Sequence, residues 1–290
     1  MNSLNVFGGN GFVGSQFCKT TNNKVILNER NDYTVKSANC LYCVSTIHNY
    51  NVYDDNLLDI NTNLIVLMKV LDNYKKYIDE TKQEGCFNFI SSWFVYGKDC
   101  GFDVNSTGIS ENEFCDPKGF YSITKRCAEQ LLISYCSTFN LNYRILRLAN
   151  ILGKNDNKVS QKKNALQFMF NQFKTDNPVE LYDNGQIYRD YIDVRDCANA
   201  IELILNKGEL NSIYNIGNGI PLVFRDLIEY AHKKLNSKSE IKIIEQKEFH
   251  KKVQSSRSFY MNNDKLKSLG YSPKYTIWET IDEILECTPP

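Results

Sequence analysis

Three side chains have the chemistry and the spacing to move a proton to or from a carbonyl oxygen: Ser92, Tyr121 and Lys125. Tyr121 and Lys125 stand in "GFYSITKRCAEQ", at positions i and i+4 of an amphipathic stretch. Residues so spaced share one face of a helix, so phenol and ammonium project into the same site. An adjacent ammonium favours the phenolate, which predicts a tyrosine pKa drawn down toward the working pH. Ser91 and Ser92 close the apolar run of "FISSWFVYG", which reads as a strand. In open α/β sheets the carboxyl edge of the strands is where ligands bind. The Tyr-x-x-x-Lys spacing alone arises often by chance, and its weight comes from the segments around it.

The first of these is "NVFGGNGFVGSQF", residues 5–17, with Gly8, Gly11 and Gly14 at intervals of three and Phe12 and Val13 between them. A glycine turn between a strand and a helix lets backbone amides approach a pyrophosphate, and the helix N-terminus adds unpaired N–H donors. The plain alternative is a tight strand–helix turn that holds nothing. The next apolar run ends "VILNER". Dinucleotide-binding folds that take NAD usually put an acid at this place, on the ribose hydroxyl. Asn28 followed by Arg30 accommodates a 2′-phosphate better, while Glu29 opposes it. This predicts NADP, with NAD as the alternative; on the bland reading, Glu29 and Arg30 are solvated loop charges.

Elements must hold these residues in place. Up to about residue 150, short apolar runs (4–8, 24–28, 39–45, 86–92, 143–150) alternate with helical patterns (from Gly11, then 61–77 and 120–139). That alternation predicts an α/β protein, a Rossmann-type doubly wound parallel sheet covered on both faces. The later part is less regular, with helical patterns at 162–174, 194–207, 222–235 and near 276–286 and short strands at 179–183, 213–219 and 241–245. A smaller α+β C-terminal substrate lobe accounts for it. The expected division is a dinucleotide-binding domain over 1–155, drawing in about 186–230, and a lobe made mainly of 156–290.

Bulk properties narrow the function. Lys plus Arg equals Asp plus Glu at 34 each, which gives no support for nucleic acid or an anionic membrane as partner. No apolar run reaches the roughly 18 residues of a membrane span, and the N-terminus lacks a basic start and long apolar core, so a cytoplasmic protein is expected. The ten cysteines are scattered rather than arranged as a framework, which predicts free thiols. "CLYC" at 40–43 lies in a strand-like run where residues three apart point to opposite faces, and with three histidines in the chain no metal site is expected.

Taken together, these segments resemble the extended short-chain dehydrogenase/reductases that act on nucleotide-activated sugars, essentially from end to end. "FGGNGFVGS" is similar to that family's cofactor turn, "FISSWFVYG" to its catalytic-serine strand and "FYSITKRCAEQ" to its Tyr-x-x-x-Lys helix. "RLANILG", "YRDYIDVRDCANA" and "YNIGNG" continue the match. The resemblance implies Ser92, Tyr121 and Lys125 as catalytic residues. It implies a nicotinamide cofactor on the glycine turn, with Ser45 and Thr46 beside the nicotinamide, and a nucleotide-sugar substrate touched by Ser92 and Trp93. Asn150 falls where the family contacts the substrate diphosphate, and Arg189 and Arg257 where arginines clamp nucleotide phosphates. Each has a duller reading: Asn150 as a turn cap, Arg189–Asp190 as an internal ion pair, Arg257 as a surface charge. His48 follows the strand "CLYCVSTIH" and is expected near the cofactor.

Departures bear on the reaction. Family members that eliminate water between C4 and C6 carry Asp-Glu directly after the serine position, where this chain has Trp93-Phe94, which disfavours a 4,6-dehydratase. The cysteine and histidine of the 3,5-epimerase/4-reductases are missing too. The short stretch between the second strand and the run at 39–45 leaves the family's acidic adenine-contacting element without a counterpart. The expected activity is therefore reduction of the C4 ketone of a nucleotide-linked 4-keto-6-deoxy sugar by NAD(P)H. The alternatives are a 4-epimerase and a non-catalytic nucleotide-binding protein on the same fold. A homodimer through the helices flanking the site is implied by the resemblance.

Overall fold

The computed structural model describes residues 3–97, 107–156, 159–246, 248 and 258–287. Six parallel strands form its main sheet: β1 (Ser3–Phe7), β2 (Lys24–Leu27), β3 (Asn39–Tyr42), β4 (Cys86–Ser92), β5 (Tyr143–Leu148) and β6 (Ser212–Ile216). Their spatial order is β6-β5-β4-β3-β1-β2, so the chain runs outward on one side of β1 and then returns to build the other side. Between β1 and β3 the order reverses, and a crevice opens at their carboxyl ends. Strand β4, "CFNFISS", is buried along its whole length. A central strand covered on both faces reads in this way, without the alternation of a half-exposed strand.

Helices cover both faces. On one, α2 (Val66–Thr81) and α3 (Phe120–Thr138) bury Leu67, Val70, Leu71, Tyr74, Ala128 and Leu132 against Phe87 and Phe89. On the other, α1 (Phe12–Thr20) and α4 (Val194–Lys207) pack Phe17 with Ala198, Ile201 and Ile204. Cys40 lies in the first of these layers and Cys43 packs against the second, the opposite orientation expected of "CLYC" in a strand. All described cysteines are free thiols. No helix among the described residues is long and apolar enough to cross a membrane.

A second core gathers Leu166, Phe170, Phe173, Leu181, Leu227 and Ile281 over the carboxyl side of the sheet. Its last helix, Ile277–Glu286, begins with a capping box: the Thr276 hydroxyl accepts from the Glu279 amide while the Glu279 carboxylate accepts from that of Thr276. Because β6 comes from residues 212–216, the sheet draws on two separate stretches of chain, 3–148 and 212–216, and part of the lobe is threaded between them. Asp193 joins the two, capping α4 through the Arg195 amide (2.7 Å) and accepting from the Thr280 hydroxyl (2.7 Å).

Candidate active site

The glycine turn has the shape of an anion cradle. Gly8 sits at φ +77°, which a side chain would strain, and its carbonyl accepts from the Gly11 amide at 3.1 Å. A Cβ on Gly14 would stand 2.6 Å from the Gly8 oxygen, so the helix and turn touch backbone to backbone. Helix α1 starts at Gly11 with no side-chain cap and no acid in its first turn. Its first N–H groups are left for a ligand, and no carboxylate opposes a phosphate there. The turn fits the pyrophosphate of a dinucleotide.

A cleft of about 760 Å³ runs from Gly8, Gly11, Phe12, Val13 and Gly14 past Ser45, Thr46, Ser92, Trp93, Tyr121 and Lys125 to Asn150 and Arg189. Helix α3 delivers Tyr121 and Lys125 from one face, as their spacing requires. Lys125 is 2% exposed; its ammonium donates to the Ile90 carbonyl at 2.7 Å and lies 4.5 Å from the centre of the Phe89 ring. Burial draws its pKa down to about 8, against the opposing pull of Glu129. Burial also pushes the Tyr121 phenol above its ordinary value, while hydrogen bonding with Ser92 and Ser45 acts the other way. The sequence predicts a tyrosine acidified by its lysine, but desolvation outweighs it and the ammonium is turned to Ile90.

The two serines of β4 have separate tasks. Ser91 donates to Glu129 at 2.6 Å; Glu129 in turn takes a bidentate pair from Arg147 (3.0 and 2.8 Å), buried among β4, β5 and α3. Ser92 turns toward Tyr121, and its hydroxyl accepts from the Phe94 amide at 3.4 Å where the strand bends away. Trp93, the next residue, stacks between Phe94 (centroids 4.1 Å apart) and Phe259 (3.5 Å, planes 7° apart). The Arg189 guanidinium stands 6.0 Å from the Trp93 ring and 5.7 Å from that of Phe259. Phe94 meets Tyr121 edge to face at 5.8 Å.

Sequence reasoning missed the residues that set Ser45 and Thr46 in place. A π-helical turn, Asn61–Ile65, swings Asn63 inward. Its carbonyl oxygen accepts from the Thr46 amide (2.9 Å) and the Ser45 hydroxyl (3.2 Å). Its nitrogen donates to the hydroxyls of Thr46 (2.8 Å) and Thr124 (2.9 Å). The buried Asp59 accepts from the Thr46 hydroxyl and from Asn51. Phe259 was missed as well, since nothing near it in sequence points to Trp93. His48 lines the cleft, its Nδ1 accepting from the Tyr50 amide at 3.2 Å and its pKa lowered by burial.

Other expectations need correction. Asn28 does not face the cleft: its oxygen accepts from Asn5 and its nitrogen donates to the carbonyls of Asp32 (3.1 Å) and Thr34 (2.8 Å). Arg30 is exposed and outside the cleft lining. Asp190 is not taken up by an ion pair with its neighbour. Its carboxylate accepts from the amides of Asn218 (2.9 Å), Gly219 (3.2 Å) and Met261 (3.1 Å), and burial raises its pKa to about 7. Asn150 donates to the Asp190 carbonyl at 3.1 Å. Arg257 lies outside the described residues.

With this geometry in view, comparison with known proteins identifies the family. The profile of the NAD dependent epimerase/dehydratase family matches residues 4–217. The chain belongs to the NAD dependent epimerase/dehydratase family. Within it, the chain is similar to a dTDP-D-glucose 4,6-dehydratase of Dictyostelium discoideum, 28% identical over 253 residues, 73% of this chain and 57% of that one. It is also similar to a dTDP-4-dehydro-6-deoxyglucose reductase of Escherichia coli, 25% identical over 209 residues, 70% and 62% of the two chains. The match thus spans less than two thirds of either relative's length. Among solved structures, the fold is shared with the UDP-glucose 4-epimerase of Thermotoga maritima determined with UDP-glucose (TM-score 0.82, 20% identity, 98% and 97% coverage). It is shared too with RMD from Pseudomonas aeruginosa complexed with NADPH (TM-score 0.81, 20% identity, 98% of each chain). Family members thus include dehydratases, reductases and epimerases of nucleotide sugars on one fold.

Proposed function

We propose that this protein is a nicotinamide-dependent 4-ketoreductase of a nucleotide-linked 4-keto-6-deoxy sugar. The observation that carries this reading is Tyr121: a buried phenol, above its ordinary pKa, with Ser92 beside it in the cleft that begins at the glycine turn. A phenol that keeps its proton at neutral pH is suited to give one. A reduced nicotinamide bound along the glycine turn supplies the hydride. As the sugar's C4 oxygen gains charge, Tyr121 protonates it and Ser92 donates a hydrogen bond to it. Lys125 spends one of its three donors on Ile90 and keeps the others for a ribose and the phenol. Asn150 and Arg189, farther along the cleft, meet the diphosphate and nucleotide.

Trp93 and Phe94 argue against elimination of water, because neither carries a titratable group where an acid and a base would be needed. The stack of Phe94, Trp93 and Phe259 also makes a stiff wall beside Ser92, which favours single-face reduction over rotation of a keto intermediate. A 4-epimerase is the second reading, supported by the match in fold to one and by the same Ser92, Tyr121 and Lys125 serving in reverse. Exposed apolar side chains on and beside the helices over one face, Leu58, Ile65 and Ile123, support a homodimer formed through that face.

A panel of nucleotide-linked 4-keto-6-deoxy sugars, incubated with NADPH or NADH, tests the reading through the absorbance of the reduced nicotinamide. Stoichiometric loss of that absorbance, abolished in Tyr121→Phe, supports the reductase. Interconversion of saturated sugar nucleotides with no net consumption would replace it with the epimerase.

A further inference from the structure

In a doubly wound dinucleotide fold, the residue at the end of the second strand grips the adenosine ribose. Here that residue, Asn28, is buried. Strand β2 is the outermost strand of the main sheet, and residues 28–38 return from it to β3 without forming a helix or strand. The loop folds onto the carboxyl end of β2 and uses up the polar groups found there. The Asn28 amide is consumed by Asn5, Asp32 and Thr34. Asn5 in turn accepts from the Lys36 amide at 2.8 Å, and Asp32 is paired with the Lys36 ammonium at 2.8 Å and with the Thr34 amide at 2.9 Å. Glu29 and Arg30 point to solvent. Between Ser15 and Cys43 no residue lines the cleft, whereas Gly8, residues 10–15, Cys43, Ser45 and Thr46 supply its near wall.

Resting on the proposed function, we propose that these residues hold a nicotinamide dinucleotide by its pyrophosphate and nicotinamide halves, leave the adenosine 2′ position unread, and release the cofactor at each turnover. The side chain at the place that discriminates a 2′-hydroxyl from a 2′-phosphate, Asn28, is turned into the sheet, and the nearby Arg30 guanidinium is exposed and outside the cleft lining. The same arrangement departs from the deep adenosine grip that a cofactor retained through an oxidation–reduction cycle calls for. It therefore separates a reductase, which must exchange its cofactor, from an epimerase, which need not.

The test is calorimetric titration of the full-length protein with NADPH and with NADH, together with release of bound nucleotide from the freshly purified protein. The expected dissociation constants differ by less than about threefold, short of the roughly tenfold of one charged contact worth 1.4 kcal/mol. Arg30→Ala should leave their ratio unchanged, and the purified protein should carry well under one nucleotide per chain. A preference of about threefold or more, a ratio that changes in Arg30→Ala, or stoichiometric retained nucleotide would each overturn this inference and leave the nucleotide-sugar enzyme standing. Failure of both dinucleotides to bind would overturn the proposed function as well.

Discussion

The Lys125 ammonium donates to the Ile90 carbonyl at 2.7 Å, tying the helix that carries Tyr121 to the strand that ends in Ser92. That bond fixes the lysine beneath the cleft, and burial holds its pKa at about 8 against an ordinary 10.5. The sign of the resulting pH dependence follows. Between about pH 8 and pH 10 the unfolded chain keeps a proton that the native chain has released, so this group makes stability rise with pH in that window. Below the window both states are protonated and its contribution is constant. Denaturant titrations of wild type and Lys125→Met should show a stability difference that moves in favour of wild type across the window. In the same range kcat/KM should fall as the ammonium is lost; a flat difference and an unchanged profile would remove Lys125 from this role.

Glu129 is wholly buried between Ser91, Arg126 and Arg147. Glu129→Gln leaves the Arg147 guanidinium, 1% exposed, without its carboxylate. Removing one partner of such a pair costs about 3–5 kcal/mol. The variant should unfold at markedly lower denaturant concentration, with losses of activity tracking loss of fold. Wild-type stability would show that the network contributes little.

Phe259 bears on the wall of the site rather than on its chemistry. Phe259→Ala removes one side of the Trp93 sandwich, at a cost of about 3–5 kcal/mol if the site does not collapse. The chain has two tryptophans, so in a Trp278→Phe background the emission reports Trp93 alone. The expected outcome is a red shift together with a raised KM for the sugar nucleotide. Unchanged emission would mean that Trp93 holds its place without the stack.

Ile123 is half exposed on the first turn of α3, two residues from Tyr121. Placing a charge there by Ile123→Glu should split the proposed homodimer, seen as a halved mass by sedimentation equilibrium. If wild type is already monomeric, the face serves another purpose.

That Ser92, Tyr121 and Lys125 share one cleft was legible because the signals are local. Four positions on one helix bring Tyr121 and Lys125 together whatever surrounds them, and an apolar run ending in serines marks the tip of a buried strand. The glycines likewise encode a turn whose geometry tolerates little else at Gly8 and Gly14. What failed to show was set by distant partners. The Trp93–Phe259 stack joins residues far apart in the chain, and Asn63 is aimed by one irregular helical turn. Asn28 misled for a related reason: a short return loop supplied the carbonyls that turned its amide inward. Tyr121 was read from its charged neighbour, when desolvation was the larger effect.

The buried thiols carry a practical consequence. Cys40, Cys136 and Cys197 have no accessible surface, and burial raises each thiol well above the ordinary range. A thiolate at these positions is disfavoured for as long as the layers on either side of the sheet stay packed. An alkylating reagent in excess would thus be consumed at the pace of that separation, slowly and together for the sheet's two faces, while the exposed Cys287 reacts at once. The protein carries its own clock for how often its centre comes apart.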